Sequence, residues 1–285
     1  VYGLGADAFD AAAIAKIYAA KNRPGDNPLI AQGGSIDQIA QLSLGIPPHA
    51  QKLIDSFFPG PLTVVLRKSE RVPLLATAGL ETIGVRMPRH GLAKDFLAAC
   101  DVPVVAPSAN LSGRPSPTTW QAVLEDLDGR VDCILQAEAS EIGLESTVVD
   151  CSSAPPTMLR KGAVSLESLR AIVPEMRSVD LADADNPRSP GLKHKHYSPR
   201  ADVVVVSEEM EFSPTDADAF IGLRPIASTI RMSRICNSIE EYAAELFEFF
   251  RECDRAGIRT IFCQAVEENG IGAALMDRIR RASQG

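Results

Sequence analysis

Apolar positions along the chain change period repeatedly, and each change marks an element. Between residues 10 and 20, DAAAIAKIYAA puts Ile14, Ile17 and Tyr18 on one face behind Asp10, a spacing that predicts a helix. After Pro28 the run LIA predicts a short strand, followed by helices near 35–42, with Ser35 as N-cap, and at 48–57. LTVVLRK at 62–68, TIGVR at 82–86 and VPVVA at 102–106 are rich in β-branched residues and predict strands, with a helix over 91–99. A helix over 119–127, a strand over 131–135 and the strand pair STVVDC and TMLRKG carry the pattern to about residue 173. Helices and strands alternating in this way predict an α/β domain, residues 1–173, with a mixed sheet.

From about 174 to 200 the apolar periodicity stops, and LADADNPRSPGLKHKHYSPR supplies Pro, Gly, Asp and basic residues instead. That composition predicts a linker. Beyond it, ADVVVV predicts a buried strand, PIAST a further short one, 238–256 a helix with Tyr242, Leu246, Phe249 and Phe250 on its apolar side, IRTIFCQ a strand and 271–282 a last helix. Residues 201–285 are therefore expected to form a small Rossmann-like domain on a parallel sheet. It has no Gly-rich phosphate loop, so a packing or covering role is expected for it.

Composition changes this picture little. The 285 residues are 45% hydrophobic and 23% charged, which is ordinary for a soluble globular protein. No stretch approaches the roughly 20 apolar residues of a membrane span and no signal core is recognisable, so a cytoplasmic protein with no membrane partner is expected. The six cysteines are scattered and form no CxxC pair, which points to reduced thiols and away from a zinc ribbon. A formal net charge of −8 argues against coating of nucleic acid by bulk electrostatics, although a local basic groove stays open.

Candidate chemistry concentrates in three short runs, KNRPGDNPL at 21–29, TIGVRMP at 82–88 and APSANLSGRPSPT at 106–118. Each sets cations, small hydroxyls or amides beside Pro and Gly, as a site holding a phosphorylated ligand requires. Lys21 and Arg23 offer a point charge and a planar fork two residues apart, and Asn27 an amide. Ser108 and Asn110 are short donors after a strand end, and Ser116 stands near the mouth of the next helix. Arg86, Arg89, Arg114, Arg160 and Lys161 also lie in or beside turns; scattered surface charge is the plain alternative. His194 and His196 flank Lys195, but an i, i+2 pair without carboxylates reads better as a solvated stretch than as a metal site. Glu145 is either a base or a strand-end ion pair. GxSxG elbow and P-loop motifs are absent.

Taken in order, VYGLGADA, AKNRPGDNPLI, FFPGPLTVVL, IGVRMPRH, PVVAPSANLSGRPSPT, ESTVVD and MLRKGAV resemble the signature segments of the YrdC family. SPGLKHKHYSPRA and the C-terminal segments resemble its longer, two-domain form, so the resemblance spans essentially the whole chain. It implies a YrdC-like mixed twisted sheet, a linker, a small C-terminal α/β domain, and a nucleotidyltransferase that makes threonylcarbamoyl-AMP and pyrophosphate from L-threonine, bicarbonate and ATP. Downstream threonylcarbamoyl-transfer proteins would then modify the adenosine next to the anticodon of tRNA.

On the family pattern Lys21 and Arg23 are the catalytic cations. Arg23, Asn27, Thr82, Ser108, Asn110, Ser116, Arg160 and Tyr197 belong to the ATP side, and Gln32, Arg86, Ala106 (through its backbone) and Ser146 to the threonine side. Tyr197 makes the linker an expected lid. Magnesium is expected with ATP, with no protein ligand set assigned. Gln32 stands where the family commonly has His. A strand and a PTxT segment are expected ahead of Val1, completing the substrate site. Three other readings stay open: an RNA- or tRNA-binding module, the carbamoyl-transfer enzyme of hydrogenase maturation, whose cysteine pairs are absent here, and a regulatory nucleotide binder.

Overall fold

A computed structural model describes residues 1–179, 197–207, 213–226 and 230–284. Packing divides them into two units that interleave along the chain. One comprises Gly3–Ser108 and the segment that begins at Glu145; the other comprises Val1–Tyr2, Ala109–Leu144 and the C-terminal part of the chain.

The first unit contains β1 (Ala6–Asp7), α1 (Ala11–Lys21), β2 (Ile30–Gln32), α2 (Ile36–Ala40), α3 (Pro48–Phe57), β3 (Leu62–Arg67), β4 (Thr82–Arg86), α4 (Gly91–Ala99) and β5 (Val104–Val105). Helix α5 (Trp120–Leu127) lies in the other unit, and β6 (Thr147–Asp150), β7 (Thr157–Arg160), α6 (Leu166–Ile172) and β8 (Arg177–Ser178) return to the first. Among the described residues its sheet has eight strands in the order β1-β5-β2-β4-β3-β6-β7-β8. From β2 to β8 parallel pairs (β2 with β4, β3 with β6, β7 with β8) alternate with antiparallel ones, and β5 pairs antiparallel with both β1 and β2, as the mixed-sheet expectation requires. Local signals set the helix ends. Asp10 caps α1 by accepting from the Ala12 and Ala13 amides at 2.8 and 3.1 Å, and Asn22 closes it in the left-handed region at φ 52°. Ser35 caps α2 as expected.

The sheet buries one face under helices. Ala31, Leu62, Val64, Leu66, Ile83, Val85, Val105 and Val149 point into a core with Ile14 and Ile17 of α1, Ile39 of α2, Leu53 and Ile54 of α3 and Leu169 of α6. Burying each of the larger side chains contributes about 1.5–3 kcal/mol. Because strand side chains alternate, this fixes which residues face the opposite way.

Several expectations are corrected. Residues 131–135 form no strand: Asp132, Cys133 and Leu135 are exposed, and the segment pairs with no neighbour in the sheets. The strand expected over 102–106 shrinks to Val104–Val105, since Pro103 lacks an N–H to contribute. The sheet runs past residue 174, because Arg177 donates to Pro156 O at 2.9 Å and seats β8 on the edge. Most of the expected linker, including His194, Lys195 and His196, lies outside the described residues, as does the Ala227–Thr229 part of PIAST.

The second unit adds β9 (Asp202–Val206), β10 (Asp218–Gly222), β11 (Met232–Ile235), α7 (Ile239–Ala256), β12 (Thr260–Gln264) and α8 (Gly270–Ser283). Its described strands form an all-parallel sheet, order β11-β10-β12-β9. Tyr242, Leu246, Phe249 and Phe250 of α7 meet Leu275 and Ile279 of α8 and Ile261 of β12 in its core. DAFIG and MSRI were not anticipated as strands; polar residues alternate in MSRI, and DAFIG lies between acidic and Pro-containing stretches.

Residues 109–144 join this unit through charge as well as apolar contact. Arg251 of α7, 1% exposed, grips Asp126 of α5 with both terminal nitrogens at 3.2 and 2.9 Å and donates to Pro115 O. Asp126 also receives Arg114 and the Leu111 amide, at 2.5 and 3.1 Å. Gly143 lies against α7 so closely that a Cβ would come within 2.4 Å of Ala244 Cα. Among the described residues no helix is long and apolar enough to cross a membrane.

Removing one partner of a buried ion pair is strongly destabilising, even where, as here, Arg114 and the Leu111 amide remain on Asp126. Arg251→Met is expected to cost about 3 kcal/mol in urea unfolding; a loss under about 1 kcal/mol would show that Asp126 is satisfied without it.

Candidate active site

Opposite the helix-covered core, strand alternation gathers polar side chains onto the other face of the first unit's sheet. In β4, Ile83 and Val85 enter the core, so Thr82, Gly84 and Arg86 face away from it. Gln32 ends β2 directly beside Arg86 in the parallel register, and the Gly33 amide donates to Arg86 O at 3.0 Å. In β3, Thr63 lies between the core residues Leu62 and Val64 and takes the opposite side. Ala106 follows β5 and donates its amide to Ile30 O at 2.8 Å.

Arg160 reaches this face through an irregularity. Met158 is paired with Val149 and belongs to the core, and strict alternation would send Arg160 to the same side. The register between β6 and β7 shifts at Val148/Val149, so that Arg160 is paired with Val148 instead. Its Nε donates to Ser146 O at 3.0 Å and its Nη2 to Ser146 Oγ at 3.2 Å. Ser146 Oγ lies 2.7 Å from Thr63 Oγ1, and both residues are buried. The backbone just beyond Arg160 leaves no room for error: a Cβ at Gly162 would stand 2.2 Å from Thr147 N.

Arg86 donates through Nε to Gly60 O at 3.0 Å. Burial pulls its guanidinium below the ordinary value, to about 10, and the charge of Arg160 pushes it the same way. It remains charged at neutral pH, so the face presents two cations beside a serine hydroxyl, an arrangement suited to a carboxylate or phosphate.

The first polar run borders the same unit. Lys21 is the last residue of α1 and 1% exposed, not a loop cation as its position beside Pro and Gly implied, and Nζ donates to Ser108 O. The left-handed Asn22 turns the chain so that Arg23 folds over its own loop, donating Nη2 to the carbonyls of Asn27 and Pro28 at 3.1 and 3.3 Å. The Asn27 residue is buried there. Lys21, Arg23, Asn27, Gln32, Thr82, Arg86, Ala106, Ser108, Ser146 and Arg160 thus all belong to one packing unit.

Asn110, Ser116 and Tyr197 belong to the other unit. Asn110 Nδ2 donates to Leu111 O and Arg114 O at 2.7 and 3.0 Å, clasping its own loop. Tyr197, at φ 66° and 5% exposed, stacks on Phe247 with ring centroids 5.3 Å apart, and the Arg278 guanidinium lies 5.3 Å from its ring centre. Glu145 is buried next to Ser146. Burial holds the Cys151 thiol up to about 12, which removes it as a nucleophile at neutral pH. Among the described residues no three His, Cys, Asp or Glu side chains are grouped as a metal site. Thr63 was not singled out from the sequence, where its only signal was a lone hydroxyl in an otherwise apolar strand.

The family model described as telomere recombination, which spans Sua5, YciO and YrdC proteins, matches residues 1–162, and the model described as the threonylcarbamoyl-AMP synthase C-terminal domain matches residues 164–284. The chain is 40% identical to the threonylcarbamoyl-AMP synthase of Pyrococcus abyssi over 99% of this chain and 88% of that one. Identity to the threonylcarbamoyl-AMP synthase of Bacillus subtilis is 36%, over 100% of this chain and 87% of the relative. The crystal structure of P. abyssi Sua5 complexed with L-threonine superposes with a TM-score of 0.90 at 38% identity, covering 100% of this chain and 88% of that one.

Because Arg86 holds its proton less tightly folded than unfolded, its charge costs stability at all pH values below about 10, and the cost fades as pH rises from there toward the ordinary arginine value. Arg86→Met is therefore expected to leave the ligand-free melting temperature at pH 7 unchanged or raised. A fall of more than about 5 °C would mean instead that the bond to Gly60 O outweighs the desolvation.

Proposed function

The chain belongs to the family of threonylcarbamoyl-AMP synthases in its two-domain form, and from that premise we propose that it joins L-threonine, bicarbonate and ATP into threonylcarbamoyl-AMP with release of pyrophosphate. It is an ATP-using enzyme that transfers an adenylyl group. The observation that carries the reading is the polar sheet face, where Arg86, Arg160 and Ser146 converge opposite an apolar core.

The chemistry asks for little beyond placement and charge. Threonine and bicarbonate give a carbamate, and a carbamate oxygen attacks the α-phosphorus of ATP. The bond from that phosphorus to the bridging oxygen breaks, and pyrophosphate leaves with its electron pair. The carbamate is a weak nucleophile and both reactants are anionic, so fixed cations lower the barrier by alignment and neutralisation, without a covalent enzyme intermediate.

In this proposal Arg86 and Ser146 hold the threonine carboxylate end, with Gln32 and the Ala106 backbone beside them. Gln32 supplies a neutral amide in the place where the family commonly has His, which still donates and accepts. Arg23, Asn27, Thr82, Ser108 and Arg160 serve ATP, with Lys21 as the second cation. Asn110, Ser116 and Tyr197 enter on the family pattern, each to be tested by its own substitution. Magnesium enters as the counter-ion of ATP, carried on phosphate oxygens. The product would pass to proteins that place the threonylcarbamoyl group on the adenosine beside the anticodon of tRNA.

Incubation with ATP, Mg²⁺, bicarbonate and L-threonine is expected to yield threonylcarbamoyl-AMP by mass spectrometry, with pyrophosphate in equal amount. ATP binding without adenylate would favour a regulatory nucleotide binder. Arg23→Ala is expected to lower the rate by about 100-fold or more; near-normal turnover would contradict the assignment. Tyr197→Ala should raise the KM for ATP by about tenfold. Unchanged kinetics in that variant would remove Tyr197 from the ATP side.

A further inference from the structure

We propose that Thr63 is a positioning residue for the amino-acid end of this site, and that it sets Ser146 as a hydrogen-bond donor toward the substrate carboxylate. The proposal rests on the synthase reading above.

Ser146 Oγ can accept two hydrogen bonds and donate one. Arg160 Nη2, 3.2 Å away, only donates, so it occupies one acceptor direction. Thr63 Oγ1, at 2.7 Å, is the other hydroxyl on that oxygen. If Ser146 gave its proton to Thr63, it would present a lone pair to an anion on a face that Arg86 and Arg160 make positive. The same positive field favours the opposite polarity, with the Ser146 oxygen toward Arg160, the Thr63 proton on Ser146, and the Ser146 proton directed to the ligand. That matches a carboxylate, which accepts only.

Thr63 is built to hold this orientation. It is fully buried, so its hydroxyl has no water to turn to. Its methyl sits where Gly84 offers no side chain: a Cβ at Gly84 would meet Thr63 Cγ2 at 3.1 Å and Ile30 Cγ1 at 3.3 Å. With the methyl lodged over Gly84, the χ1 rotamer of a β-branched residue is fixed and the hydroxyl points at Ser146. Gly84 therefore serves the site by leaving space.

The test is steady-state kinetics, read as pyrophosphate release, on Thr63→Val, Thr63→Ser and Gly84→Ala, with thermal melting to confirm folding. Thr63→Val keeps the shape and loses the hydroxyl; the KM for L-threonine is expected to rise about tenfold, with the KM for ATP and kcat within about twofold of the parent. Thr63→Ser should recover most of that loss. Gly84→Ala, by crowding the methyl, should raise the KM for L-threonine in the same direction, and it decides the matter if Thr63→Val does not fold. An unchanged KM for L-threonine, an equal rise in both KM values, or no recovery with serine would overturn the proposal. A parent protein that released no pyrophosphate with L-threonine would instead bring down the synthase reading, and the Thr63 assignment with it.

Discussion

The constraint on which the rest depends is that a strand cannot send consecutive side chains to the same side. Four strands at the middle of the mixed sheet, β2, β4, β3 and β6, commit alternate residues to the helix-covered core through Ala31, Val64, Val85 and Val149. The intervening positions are then forced onto the opposite face, and the chain fills them with Gln32, Arg86, Thr63 and, at the lead-in to β6, Ser146. A slip of one residue in β4 would bury Arg86 in the core and turn Val85 outward, and a slip in β2 or β3 would bury Gln32 or Thr63 there in the same way, so one hydrophobic pattern specifies both the core and the polar face. Arg160 is the exception that alternation alone would misplace, and the register shift beside Val148 corrects it.

That face carries an electrostatic cost that the free protein bears in advance. Two guanidiniums on one face repel, and burial lowers the affinity of Arg86 for its proton. Backbone carbonyls offset part of this: Gly60 O takes Arg86, Ser146 O takes Arg160, and Ser108 O takes Lys21. The Gly60 carbonyl holds the Arg86 guanidinium in place without neutralising it. On the proposed reading an anionic substrate would meet donors that are already oriented, which is the preorganisation that charge-dominated catalysis depends on.

Much of this was legible in the chain. Helix caps such as Asp10 and Ser35 and the β-branched runs of β3 and β4 are local signals, and α1, α2, α3, β3, β4 and α4 match the expected bounds to within about two residues, whereas β1, α6 and β8 were not anticipated from any pattern along the chain. The family segments pointed to the cations and hydroxyls proposed for the site because those residues sit in short, distinctive runs. Non-local features were out of reach. Nothing near Arg160 marks the register shift, which depends on how β7 meets β6. Lys21 looks like a loop residue until helix α1 is seen to run through it. The contact between Arg251 and Asp126 joins positions 125 residues apart, and no pattern along the chain indicates that 109–144 packs with α7. Thr63 was hidden for a related reason: a threonine in a strand is ordinary until its neighbour across the sheet is known.

The central claim is that one face of the mixed sheet receives the amino acid, and a crystal structure of the protein soaked with L-threonine tests it most directly. The account predicts the carboxylate within hydrogen-bond distance of both the Arg86 guanidinium and Ser146 Oγ. L-Threonine bound elsewhere, with Arg86 and Ser146 untouched, would contradict it.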